Sequence, residues 1–557
     1  MRAAAALVAA VVLGLAASPA ALAADDLVRP KSLDELPKLR ERTARDALRI
    51  ADRQPEVRDV LADNPGATRE AFQKGSALWQ VSYYAKTPKG APRREIAQVI
   101  IGDRSGAIVE LWTGFRVAWT MARGYDGAFG KKVNAPYVWI PLLVLFVVPF
   151  LQRRPFALIH LDLAVLCGFS VSLAYFNAAE VETSVPIVAP LLAYLLLRML
   201  WIGVRGAAER GPPPKLLVPT SWLAIGIVFL AGFRLGLNLV ESNVIDVGYA
   251  GVIGADRLAD GDPLYGGWPA DNEHGDTYGP LAYLAYLPFE QVFPWSGAWD
   301  DLPAAHAAAI VFDLLTLAGV WLLGRRAGGQ TLGVALAYAW AAFPFTLYAL
   351  NTNANDTLVA LLVVATLLVA TSAPPRGGLA AVAGLTKLAP LALGPVLATH
   401  GLAGLPLRAG VRRVALFLAA FAAVAALTLV LTVDDLGTFW DRTIGFQAGR
   451  DAPFSIWGLY DLDTLQTIAK VLAVAIAAGV ALVPRRPAER VRLAALCAAV
   501  LLAGQLVVTY WFYLYVVWFF PLVMLALLGR DRVVTPPRPT PAEPARSTEP
   551  VPALHSG

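Results

Sequence analysis

Apolar residues arrive in long unbroken blocks along most of this chain, and polar residues fall between the blocks instead of alternating within them. Blocks of ~20 residues match the hydrocarbon thickness of a bilayer, so they predict membrane-crossing helices. In order these cover 137–151, 157–176, 186–204, 222–240, 304–323, 331–350, 357–370, 414–433, 467–483, 493–509 and 512–528. Two further blocks do not thread as simple crossings. The block 279–295 would start and end on one side, which predicts a juxtamembrane or re-entrant segment covered by protein. The block 378–400 must return to the side it left, which predicts two short helices broken near Lys387-Leu388-Ala389-Pro390. The total is about eleven crossings plus a hairpin, at roughly 20 residues or somewhat fewer each.

The chain ahead of these blocks has a different character. Arg2, an apolar run from Ala3 to Leu15 and small residues ending in Ala21-Leu22-Ala23 form the pattern of a signal peptide over 1–24, too short to span. From 25 to 134 the chain is polar and mixed. Residues 39–51 and 68–73 read as helical, 79–84 and 96–101 as strands, and 102–106 as a turn before a third strand over 107–112. The expected organisation is a small extracytoplasmic α+β domain over 25–134, three helices over 135–215 and a membrane domain over 216–530. Its outer loops are 241–303 and 434–466, and a Pro-rich tail over 531–557 reads as disordered and cytoplasmic.

Composition and charge sharpen this picture. With 57% hydrophobic and 16% charged residues in 557, a single soluble domain is excluded. Arg153-Arg154, Arg205, Arg325-Arg326, Arg485-Arg486 and Arg530 fall on one face of the threading, while Glu180, Glu182 and Asp434-Asp435 fall on the other. That asymmetry predicts an outside start in a plasma membrane of bacterial type. The arginines orient helices, and no nucleic-acid partner follows from the net charge of +5. Cys167 and Cys497 both lie in apolar segments and read as small core residues.

Polar residues concentrate in the loop 241–303, which holds eleven acids and a single arginine, Arg257. It carries Asp246, Tyr249, the run Asp262-Pro263-Leu264-Tyr265, then His274, Asp276 and Tyr278-Gly279-Pro280-Leu281. These elements resemble the first outer loop of glycosyltransferases that use polyprenyl-phosphate sugars, which have the GT-C fold, and most of all glycosyltransferase family 87, whose members include mannosyltransferases. Lys387-Leu388-Ala389-Pro390-Leu391 is similar to that family's K-x-x-P-L element, and Phe454-Ser455-Ile456-Trp457-Gly458 and the aromatic run Tyr510–Tyr513 add to the resemblance. It covers roughly 222–528 and departs at Tyr278-Gly279-Pro280, where the family often has Y-P-P. The helix-then-hairpin order of 25–134 resembles the small exported domains called PepSY-like, which implies a binding or packing module.

The resemblance implies a mainly α, polytopic GT-C-like fold that transfers a sugar, mannose or another hexose or pentose, with inversion. The donor would be a polyprenyl-phosphate sugar and the acceptor an extracytoplasmic lipid, glycan or protein of the cell envelope. Such chemistry needs a base for the acceptor hydroxyl, and Asp246, about six residues beyond the predicted end of a span, is the candidate. A solvated interfacial acid or a helix cap is the alternative. A departing phosphate needs cations, which the acidic loop does not supply. Arg442, Arg450, Lys387 and Arg234 are the candidates. Lys387 and Arg234 lie in apolar stretches at a cost of about 2.5–3.5 kcal/mol each, so a partner such as Asp313 is expected, and a purely structural ion pair is an equal reading.

Tyr249, Tyr265, His274, Asp276, Tyr278 and Trp457 are candidate substrate contacts. Asp256, Asp260, Asp262, Asp276 and His274 offer a divalent cation site as an alternative, but their spacing follows no ligand motif, so neither metal nor cofactor is predicted. His160 and His306 read as satisfied polar residues, and Trp268, Trp295 and Trp299 as interfacial anchors. A transporter or flippase lined by Lys387, Arg234 and Asp313, and a non-catalytic scaffold, are the competing function classes. The lack of an internal repeat and the loop placement of the polar residues favour the enzyme.

Overall fold

The computed structural model describes residues 27–87, 93–124, 129–154, 156–205, 215–482 and 489–530. The signal peptide expected over 1–24 and the tail over 531–557 lie outside the described residues.

The N-terminal domain is an antiparallel sheet in the order β1 (Leu27–Val28), β2 (Thr68–Lys74), β3 (Leu78–Tyr84), β4 (Glu95–Gly102), β5 (Ile108–Thr113). Two helices, α1 (Ala44–Asp52) and α2 (Pro55–Asp63), accompany it. The α1 helix starts at Ala44 because Thr43 and Asp46 form a capping box. Five residues of the helix expected from Leu39 are therefore irregular, and Leu39 itself takes a left-handed φ of 64°. Residues 68–73 form a strand, not the helix their composition favours. They pair with β3 from Thr68 opposite Tyr84 to Lys74 opposite Leu78, and this pairing overrides local propensity. One sheet face buries Trp79, Val81, Tyr83, Val99 and Ile101 against Ala44, Ala47, Leu48 and Ala51 of α1. Gln80, Ser82 and Gln98 on the other face are buried as well, and Arg123 of the following segment donates to Gln98 Oε1 at 2.8 Å.

Seven helices are long and apolar enough to cross a membrane: α4 (Leu158–Asn177), α5 (Val181–Val204), α6 (Thr220–Val240), α8 (Pro303–Gly328), α13 (Leu407–Thr432), α14 (Asp463–Leu482) and α15 (Arg490–Val507). The expected span 331–350 is instead two helices, α9 (Gln330–Ala342) and α10 (Pro344–Asn351), bent by 57°. Pro344 starts the second, lacking the N–H that would have continued the first. Four more apolar segments are shorter: α3 (Pro136–Val147) with its last turn to Phe150, α11 (Asp356–Leu368), 389–398, and 513–528, which contains α16 (Val516–Leu528). Among the described residues these seven helices, the bent pair and the shorter segments 136–150, 356–368 and 513–528 lie in order at the eleven expected blocks, and seven, or eight with the bent pair, are long enough to cross a membrane as they stand.

The hairpin breaks where expected. The α12 helix (Ala373–Thr386) ends at Lys387, whose backbone is extended, and short turns over 389–393 and 394–398 follow. The block 279–295 holds only two single-turn helices, Pro280–Leu284 and Leu287–Glu290. The α15 and α16 helices sit at the centre of the bundle, where Phe520 stacks on Phe343 at 4.2 Å. The long α13 and α14 helices keep most of their apolar side chains on the outside, the surface a bilayer would cover.

Candidate active site

Strapping between two loops fixes the start of α7 (Asp246–Asp260). Asn238, near the end of α6, donates to Leu350 O at 2.9 Å and to Asn353 Oδ1 at 2.8 Å. Asn353, with a left-handed φ of 52°, donates back to Asn243 O and Ser242 Oγ, and Ile245 N–H donates to Thr352 O. His306 Nδ1 lies 3.2 Å from Asn238 Oδ1, a satisfied polar contact as expected. Gly248 lets the first turn of α7 press on this strap, since a Cβ there would lie 2.3 Å from Asn353 O. Asp246 is thus held in the first helical turn, where free N–H groups favour a carboxylate.

Asp246 keeps solvent access although protein atoms crowd around its carboxyl. Burial raises its carboxyl above the ordinary carboxylate range. The Val247 N–H and the positive charges of Arg450 and Lys387 oppose that rise, and Asp356 adds to it. Tyr278, Tyr510 and Tyr515 lie near enough to interact electrostatically with both Asp246 and Arg450.

The helix break brings Lys387 to this group. Its ammonium donates to Asp356 Oδ1 at 2.7 Å and lies 5.3 Å from the ring centres of Tyr278 and Trp518, while Trp518 Nε1 donates to the same Asp356 oxygen. Tyr278 is pinned beside the break, because Gly279 N–H donates to Thr386 O and Tyr265 OH donates to Tyr278 O. A Cβ on Gly279 would lie 2.0 Å from Leu385 O, so the glycine that departs from Y-P-P is what the contact requires.

Arg450 completes the group. Its guanidinium lies 3.6 Å from the Tyr510 ring centre, 5.6 Å from Phe446 and 5.8 Å from Trp119. Among the described residues it has no carboxylate within ion-pair distance, and its Nε has no hydrogen-bond partner. The other three cations expected at a phosphate are each paired. Arg442 makes a bidentate pair with the buried Asp276, both contacts 2.7 Å, tying the loop 434–466 to 241–303. Lys387 has Asp356. Arg234 lies inside the bundle with Asp313, the partner expected for it, and Trp340 Nε1 shares that carboxylate.

The sequence-derived residues therefore divide. Asp246, Tyr278, Lys387 and Arg450 come together, whereas Arg234 and Asp313 form a structural pair elsewhere. Tyr265 and Asp276 shape the loop, and Asp276 also accepts from Gly266 N–H. Tyr249 stacks on Trp299 at 4.9 Å and donates to Asp271, and His274 lies against Phe446. Trp457 donates its indole N–H to Leu506 O, and Trp268 donates to Leu264 O. No three His, Cys, Asp or Glu side chains among the described residues gather as cation ligands. Sequence reasoning missed Asp356, Tyr515, Trp518 and Trp119. The Asn-rich run Asn351–Asn355 before Asp356 was the available signal.

Residues 277–509 match the model of Glycosyltransferase family 87. No curated protein matches the chain. Among solved structures, the crystal structure of ArnT from Cupriavidus metallidurans bound to undecaprenyl phosphate is similar at 16% identity and a TM-score of 0.40, over 56% of this chain. This chain spans 60% of the length of that one. The family match holds Tyr278, Asp356, Lys387 and Arg450, and leaves Asp246, Trp119 and Tyr510 outside. On a polytopic helical bundle, the chain resembles the membrane glycosyltransferases of family 87 over residues 277–509.

Proposed function

We propose that the chain is a GT-C-type glycosyltransferase that transfers a sugar from a polyprenyl-phosphate donor to an acceptor hydroxyl with inversion, at a site facing the outside of the membrane. The observation that carries this reading is the pairing of an accessible carboxylate of raised proton affinity, Asp246, with an arginine held by ring faces and, among the described residues, without a carboxylate within ion-pair distance, Arg450. In the proposed step the acceptor oxygen bonds to the anomeric carbon as that carbon's bond to the phosphate oxygen breaks. Asp246 takes the hydroxyl proton, and the polyprenyl phosphate leaves with the bonding electrons. Arg450 meets the charge that builds on the leaving phosphate. Lys387, with Asp356 beside it, holds Tyr278 and contributes field more than free charge.

The test is transfer of labelled sugar, first mannose, from a polyprenyl-phosphate donor in membranes containing the full-length chain or Asp246→Asn. Transfer by the wild type, lost by about 100- to 10,000-fold in a monodisperse D246N protein, supports the reaction and the base. Equal transfer by both removes Asp246 from the mechanism. No transfer from any polyprenyl-phosphate sugar, with lipid-linked substrate moved across vesicles instead, gives the chain to the transporter class.

A further inference from the structure

Resting on that donor reading, we propose that Trp119 is a positioning residue for the donor phosphate: the segment after the N-terminal sheet supplies the aromatic wall that holds Arg450 in the site. No assignment to the 277–509 stretch reaches these residues. The segment is locked at both sides. Arg116 donates to Ala179 O at 2.8 Å and to Glu182 at 2.7 Å, fastening it to the turn between α4 and α5. Arg123 donates to Arg116 O, to Val117 O and to Gln98 of β4, fastening it to the sheet. Farther on, Gly130 N–H donates to Asn243 Oδ1, and Asn351 donates to Gly130 O, so the same connection reaches the strap that holds Asp246.

Between these anchors Trp119 sits edge-on to Phe454 at 5.2 Å and tilted on Tyr510 at 6.0 Å. Tyr510 OH donates to Met121 Sδ at 3.4 Å, so the ring nearest Arg450 is itself held by this segment. A guanidinium with no carboxylate within ion-pair distance takes its orientation from the ring faces around it. Three rings, Trp119, Phe446 and Tyr510, surround this one, and among the described residues they leave it with no close ion pair to compete with an incoming phosphate. The N-terminal domain is then a structural component of the donor site.

The experiment measures binding of radiolabelled undecaprenyl phosphate, without sugar, to the full-length chain in nanodiscs of zwitterionic lipid. The variants are W119F, W119L, W119M, R450A and W119L/R450A, each required to purify as a single species, with W119M standing in should W119L not fold. Loss of the ring in W119L or W119M is expected to weaken binding roughly 2- to 30-fold, with W119F close to the wild type. In the R450A background W119L should have no further effect, an outcome that general loosening of the fold does not produce. Wild-type affinity in W119L or W119M, or an equal loss with and without Arg450, overturns the role of Trp119 alone. No binding by the wild type overturns the donor reading and this inference with it.

Discussion

The assignment of Arg442 as a strap between two loops, instead of a phosphate ligand, can be tested through its partner. Asp276→Asn keeps the shape of the side chain and an oxygen for the Gly266 N–H, but it removes the charge that receives both Arg442 contacts. The Asp276 side chain is 0% exposed and that of Arg442 29%, so the pair is half withdrawn from water. Its loss should fall between the ~0.2–1 kcal/mol of exposed pairs and the ~3–5 kcal/mol for breaking a fully buried one, about 2 kcal/mol. Because Arg442 also donates to Glu273 O at 2.6 Å, the freed guanidinium keeps one anchor and some hydration, which holds the cost near the middle of that range. D276N, R442Q and the double variant should each lower the unfolding temperature in detergent, the double by less than the sum, since it strands neither charge. Binding of undecaprenyl phosphate should suffer similarly in D276N and R442Q, and far less than in R450A. An R442Q variant that loses binding as completely as R450A, while D276N binds normally, would refute the strap and return Arg442 to the phosphate.

Three further outcomes are expected. The raised proton affinity of Asp246 means that folded protein binds more protons than unfolded protein between the ordinary carboxylate value, ~3.9, and the shifted one, so stability falls as pH rises through that window. D246N should therefore unfold at no lower temperature than the wild type at pH 7, and the transfer rate of the wild type should fall on acidification with an acid limb displaced upward from that of a free carboxylate. G279A should force a shift of about 1 Å at Tyr278, costing about 1–3 kcal/mol and up to ~100-fold in turnover, read as kcat against KM. R234Q should leave the buried Asp313 stranded and cost about 3–5 kcal/mol in thermal stability, while protein that does fold keeps wild-type donor affinity.

The long helices were legible because a crossing must be apolar for most of its length, so α4, α5 and α6 begin and end close to the edges of their blocks. Shorter elements were less so. The strand Thr68–Lys74 is built from residues of good helix propensity and becomes a strand only through β3, a partner that local composition does not reveal. In the site, Asp246, Tyr278, Lys387 and Arg450 stood out as polar residues at loop edges or at a break in an apolar run. Asp356 did not, since it opens an apolar helix and its partner Lys387 lies 31 residues on. Trp119 was hidden for a related reason: a tryptophan near a membrane surface has many uses, and only the folded chain brings it to Arg450, more than 300 positions later.

The split of the site across the chain bears on inheritance. A recombination event exchanging only 277–509 would carry over the helix break, Tyr278 and Arg450 but would leave Asp246 and Trp119 with the recipient. Such a chimera would keep the sequence signature of the donor parent while its proposed base, and one wall around Arg450, came from the other. Residues 115–134 and 242–248 should therefore change in step with the central segment across descendants of this chain, and grafts that respect only the boundaries of the matched stretch would separate parts that pack together.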